Sequence, residues 1–164
     1  MSDSGHPFWE FSLQLYARHG VAEASLALQD RFDADVNMLF FVLWAAENYR
    51  TLNVADIREL IALVRLWRDE VVRPLRVARR FLKTTTWKTS ETDSLRKRIQ
   101  EQELDAERLQ QLFLEARLDP LAVCATASCD DCAAQNLKNY AASINAKFPE
   151  ELVSVLLSAF GARL

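Results

Sequence analysis

The chain has 164 residues, half of them hydrophobic, with nine Phe, four Trp, only three Gly and four Pro, and a formal net charge of −3. That much apolar side chain excludes a disordered chain, and the scarcity of turn formers excludes a fold of many short strands. An isoelectric point near 5.5 argues against general nucleic-acid affinity.

Helix formers dominate, so the expected class is all-α. The first helix is expected at about Pro7 to Arg18, with proline in its first turn and Gly20 after its end. The second follows at Val21 to Phe32, with Val21, Ala24, Leu28 and Phe32 on its inward face. A third, about Asp35 to Tyr49, contains the most apolar run, "VNMLFFVLWAA". That run is too short for a membrane span and reads as a buried core helix. Asn53 is expected to cap a fourth helix. Pro74 then removes a hydrogen bond and crowds the preceding turn, which predicts a kink or break near Val71 to Arg73. The helix resumes to about Lys83.

"TTTWKTSETD", residues 84 to 93, reads as a loop, and Ser90 with Asp93 as the cap of a long helix reaching about Arg117. Along it Leu95, Ile99, Gln102, Ala106, Leu109, Phe113 and Ala116 follow a heptad seam. The seam suits packing inside a bundle, or a homo-oligomer through residues 95 to 116. Asp119-Pro120 ends that helix. A cysteine-bearing helix from about Ser128 to Ala146 and a last one from about Pro149 to Phe160 complete the chain.

Charge is concentrated in one place. Residues 58 to 88 carry nine basic and three acidic groups, net +6, within an acidic chain. In "WRDEVVRPLRVARRFLK", residues 67 to 83, Val71, Leu75, Ala78 and Leu82 fall within about 60° of a helical wheel. Arg65, Arg68, Arg73, Arg76, Arg79, Arg80 and Lys83 cover a neighbouring arc. Arginine's planar fork suits carboxylates and phosphates, so this stripe is the candidate binding face. The alternative is a solvated face, or one paired internally with acids of the first two helices. In that pairing, charge reversal at Arg76 would unfold the protein.

Other constellations are weaker. Cys124, Cys129 and Cys132 have the spacing C-x₄-C-x₂-C. Three thiols form no disulfide framework and lack a fourth zinc ligand. They are candidate metal or redox residues, set against ordinary thiols at a helix start. Asp30, Asp33 and Asp35 resemble the aspartate-rich magnesium sites of helical isoprenoid-diphosphate synthases, although interhelical capping also explains them. No phosphate loop, dinucleotide fingerprint, zinc-protease motif or nucleophile elbow is present, so no catalytic residues and no cofactor are expected.

Two blocks carry a family resemblance. "FWEFSLQLYARHGVAEASLALQDRFDADVNMLFFVLWAAE", residues 8 to 47, and "WRDEVVRPLRVARRFLK" resemble a family of small proteobacterial helical proteins of unknown function. The resemblance implies a bacterial, cytoplasmic helical protein and brings no catalytic residues.

The expected architecture is a single α-helical domain over residues 1 to 164, a bundle of six or seven helices kinked near Pro74. With no signal peptide and no membrane span, the expected location is the cytoplasm. The leading functional expectation is a non-enzymatic interaction or regulatory module that presents the basic face to an acidic protein. A second reading places phosphate ligands or nucleic acid on that face, and a third is a metal-diphosphate enzyme around the three aspartates.

Overall fold

In a computed structural model the structure describes residues 5–125 and 128–162. The described residues form α1 (Pro7–Tyr16), α2 (Val21–Phe32), α3 (Val36–Glu47), α4 (Val54–Trp67), a π segment (Arg68–Val72), α5 (Arg73–Thr84), α6 (Ser90–Glu115), α7 (Cys129–Ser143) and α8 (Glu150–Gly161). Because α4, the π segment and α5 run on without a break, they count as one long helix. The result is seven helical elements in an all-α fold. Two-residue strands, β1 (Arg50–Thr51) and β2 (Ala122–Val123), pair antiparallel with Arg50 opposite Val123.

Contacts group into two compact units, one from residues 1–61 and 111–164 and one from Ala62–Gln110, so the divisions fall within α4 and α6. In the first unit α3 is the central rod, and every residue from Asn37 to Ala46 is buried. The apolar run is continuous because other helices cover it on all sides: α1, α2 and α7 pack against it, and α8 packs on α2 and α7. Phe8 of α1 stacks on Trp44 with ring centroids 5.1 Å apart and meets Phe41 edge-on at 5.5 Å. Such aromatic pairs add to what area burial contributes.

Apart from the Ser25 hydroxyl, the buried polar side chains of this unit are tied off. Ser12 donates to the Gln111 side-chain carbonyl at 2.9 Å, and Gln111 Nε2 donates to Asn37 Oδ1 at 2.9 Å. The Phe8 N–H, one of the orphan donors in the first turn of α1, donates to Glu115 Oε2 at 3.0 Å. Asn136 of α7 donates to the carbonyls of Val42 and Arg50, both at 3.0 Å, and accepts from the Leu52 N–H at 3.0 Å. One fully buried amide therefore fixes α7 against the end of α3 and the chain leaving it.

Local sequence sets the helix ends. Asp35 caps α3 by accepting from Asn37 N at 2.9 Å, and Ser128 caps α7 by accepting from Asp131 N at 3.3 Å. Asn53 and Asp56 form a reciprocal capping box, with bonds of 2.9 and 3.0 Å. We expect Asn53→Ala to lower stability by about 1 kcal/mol in urea denaturation, the usual loss for a helix cap. The cap of α6 lies one residue earlier than the sequence suggests. Thr89 and Thr92 bond reciprocally at 2.9 and 3.2 Å, so the box is Thr89/Thr92 and not Ser90/Asp93.

The chain turns sharply at Gly20, whose φ of +78° favours glycine; a Cβ there would sit 3.1 Å from Val155. The break expected at Pro74 is a local widening. Through the π segment the Arg73 N–H reaches back five residues to the Arg68 carbonyl. The extra residue per turn accommodates proline without ending the helix.

Candidate functional site

The basic stripe lies in the second unit, a helical hairpin in which the end of α4, the π segment and α5 lead through residues 85–89 into α6. Val71, Leu75, Ala78 and Leu82 are half-buried and Val72 is buried, so the apolar arc read from the sequence does face inward. Two of the arginines turn inward with it. Arg76 Nε lies 3.1 Å from Glu103 Oε1, and its Nη2 lies 2.7 Å from Glu107 Oε1. Arg79 grips the same Glu103 through Nε to Oε2, and through Nη2 to Oε1 at 3.2 Å.

The resulting chain runs Arg79, Glu103, Arg76, Glu107, with the Glu103 side chain only 8 % exposed and Arg76 17 %. It works because Arg76 and Arg79 are three apart on α5 while Glu103 and Glu107 are four apart on α6, so each pair shares one helix face. Burial by itself pushes the Glu103 carboxyl up, but hydrogen bonds from Arg79 and Arg76 and their charges outweigh it and hold the carboxyl below its ordinary value. Burial likewise lowers Arg76, and the Glu107 charge with hydrogen bonds to Glu103 and Glu107 leaves it raised. The carboxylates that meet these arginines come from α6, whereas the sequence had pointed to the first two helices.

The other stripe residues are placed differently. Arg73 bridges to Asp69 one turn back at 3.4 Å, Arg68 is half-buried, and Arg65, Arg80 and Lys83 are exposed. Trp67 donates its indole N–H to the Ala106 carbonyl at 3.0 Å, a second tie across the hairpin. On α6 the buried positions are Glu103, Ala106, Gln110, Gln111 and Leu114, while Leu95, Leu109 and Phe113 of the expected seam are exposed. The inward side is rotated about one residue from the apolar seam because it must bring Glu103 to the arginines.

A further surface emerges from this arrangement. No side chain of α5 is fully buried, and Val77 and Phe81, one turn apart, are 66 % and 65 % exposed. Trp87, in the connection to α6, is exposed as well.

The remaining candidates lie in the first unit. Asp33 ends α2 in the left-handed region at φ 55°, and Asp35 caps α3, so both act in the turn between the two helices, while Asp30 is exposed. Cys132 is buried and donates to the Arg50 carbonyl at 3.2 Å; Cys124 and Cys129 are half-buried. Burial, followed by a hydrogen bond with Cys124, pushes the Cys132 thiol up to about 12. Tyr49 hydrogen-bonds Cys129, and its hydroxyl is raised by that bond. Among the described residues no three His, Cys, Asp or Glu side chains are grouped so as to hold a metal ion. A shallow cleft of about 330 Å³ beside α1 is lined by Glu10, Gln14, Arg18, Trp44 and Glu47.

The fold and this site describe an all-helical protein built around a buried apolar rod and a helical hairpin clamped by arginine–glutamate pairs. No helix among the described residues is long and apolar enough to cross a membrane. Residues 7–114 match a protein family of unknown function, DUF2390, and the chain belongs to that family. No curated protein and no solved structure matches the chain. The family match takes in α1 through nearly all of α6, including the whole hairpin, and stops short of the three cysteines.

Proposed function

We propose that the protein is a non-enzymatic interaction module, and that the outward face of α5 docks an acidic, amphipathic segment of a partner protein. The observation that carries this reading is the exposure of Val77 and Phe81 on a helix that buries no side chain fully. Arg73 and Arg80, four residues before and three after Val77, lie within about 60° of it around the helix axis. An apolar pair flanked by guanidinium groups suits a helix that offers apolar side chains on one stripe and carboxylates beside it. The inward salt-bridge chain supports the reading too. It holds α5 in place before any partner arrives, so little ordering remains to oppose binding.

The test is capture of partners from lysate by tagged protein, with and without nuclease, beside the variant Val77→Glu/Phe81→Glu. We expect a nuclease-resistant partner whose affinity falls at least about tenfold in the variant, as for centrally placed apolar anchors. The melting temperature should hold, because both side chains already face solvent. Cross-linking should map the contact to residues 73–88. Capture that vanishes with nuclease and weakens steeply with salt would transfer the face to phosphate polymers. Capture of the same partner by both forms would remove α5 from the interaction.

A further inference from the structure

Two thiols of the first unit, Cys124 and Cys132, both approach the Tyr49–Arg50 segment, a pairing that differs from what their spacing suggests. The spacing favours Cys129 with Cys132, which are three apart at the start of α7. In the folded chain Cys124 perturbs the Cys132 thiol more than Cys129 does. The backbone explains how. Beyond the Arg50–Val123 register of the two short strands, the Cys124 N–H donates to the Tyr49 carbonyl at 2.7 Å. The Cys132 thiol reaches the next carbonyl, that of Arg50, at 3.2 Å. The two cysteines thus approach consecutive carbonyls, those of Tyr49 and Arg50.

We propose that Cys124 and Cys132 form a reversible disulfide by exchange with a low-molecular-weight disulfide, and that Cys124 reacts first. Cys124 is half-buried and thus accessible, while Cys132 is closed off. The Cys124 thiolate attacks one sulfur of the reagent, forming a mixed disulfide and releasing one thiolate. Cys132 then gives up its proton and attacks the Cys124 sulfur, releasing the second thiolate. Two protein thiols are oxidised, one disulfide is reduced to two small thiols, and the two protons end on those thiols.

The bond would staple β2 to the start of α7 across the Tyr49–Arg50 segment. The staple would form slowly near neutral pH, because a thiol raised to about 12 carries little thiolate there. The rate of the second step should therefore rise about tenfold per pH unit across the neutral and mildly alkaline range.

The experiment treats the full-length protein with oxidised glutathione at several pH values and maps the products by mass spectrometry. We expect a glutathione adduct on Cys124 at neutral pH that converts, faster with rising pH, to a peptide pair joined through Cys124 and Cys132. Cys132→Ser should trap the adduct, Cys124→Ser should give neither product, and Cys129→Ser should behave as the parent. Circular dichroism of each variant checks that it folds. Because Cys124 is only half-buried, its variant keeps the test decisive even if Cys132→Ser is unstable. A bond from Cys129 to either of the others, or a glutathione adduct that never resolves at any pH, would overturn the proposal.

Discussion

Glu103→Ala should destabilise the helical hairpin by about 3 kcal/mol, the scale seen when one member of a buried ion pair is removed. The carboxylate is the shared partner of Arg76 and Arg79, and without it Arg79 loses both of its contacts to Glu103 while Arg76 retains Glu107. All the side chains in the network are less than a third exposed, so solvent screening does not reduce the effect to that of a surface pair. The chemistry is asymmetric: exchanging Glu103, Arg76 and Arg79 together for apolar residues of similar volume should recover most of the loss. Urea denaturation of the two variants measures both. A Glu103→Ala loss below about 0.5 kcal/mol would mean that the network behaves like an exposed pair.

The same carboxyl sets an acid limit. Its pKa is lowered in the folded state, so the stability it contributes is complete above its unfolded value, about 4.3, and is lost as pH falls through the lower, folded value. Parent and Glu103→Gln stability curves should therefore lie furthest apart above about pH 4.3 and draw together as pH falls below it. Parallel curves across that range would place the acid sensitivity elsewhere.

Asn136→Ala should cost about 3 kcal/mol in the first unit. The amide is fully buried and its side chain serves two carbonyls and one N–H. Each buried group left without a partner carries a penalty of about 1–3 kcal/mol. The losses are not equal. The Arg50 carbonyl keeps the Cys132 thiol, whereas the Leu52 N–H loses the Asn136 oxygen. The Leu52 amide should accordingly be the one whose hydrogen exchange accelerates most, ahead of the general rise that lower stability brings. Asn136→Asp should be at least as damaging, because it replaces the two N–H donors with an acceptor facing two carbonyl oxygens. Stability within about 0.5 kcal/mol of the parent for Asn136→Ala would show that water replaces the amide.

Much of this was legible along the chain. The start and end of α2, the cap at Asn53, the approximate starts of α3 and α7, and the disturbance before Pro74 follow from residues within a turn of the feature they set. The apolar arc through Leu75, Ala78 and Leu82 was legible for the same reason, since periodicity is a local property. Asn136 carried a signal that went unread: Cys132, Ala133, Leu137 and Tyr140 around it are all buried at helical spacing, which puts Asn136 on the inward face. The outward Val77/Phe81 pair was not legible, because its exposure depends on how α5 packs in the hairpin.

What the sequence by itself determined is the list of helices, their approximate ends and, α6 apart, much of the side turned inward, because capping, proline geometry and amphipathic period act between neighbours in the chain. Tertiary structure alone decided which charges meet. Arg76 finds Glu103 and Glu107 across 27 and 31 residues, Asn136 finds Val42 across 94, and Cys132 finds the Arg50 carbonyl across 82. A carboxylate or thiol is chemically the same wherever it lies in the sequence. Its partner is fixed only when packing of the helices brings one group within hydrogen-bond reach and leaves the others in water.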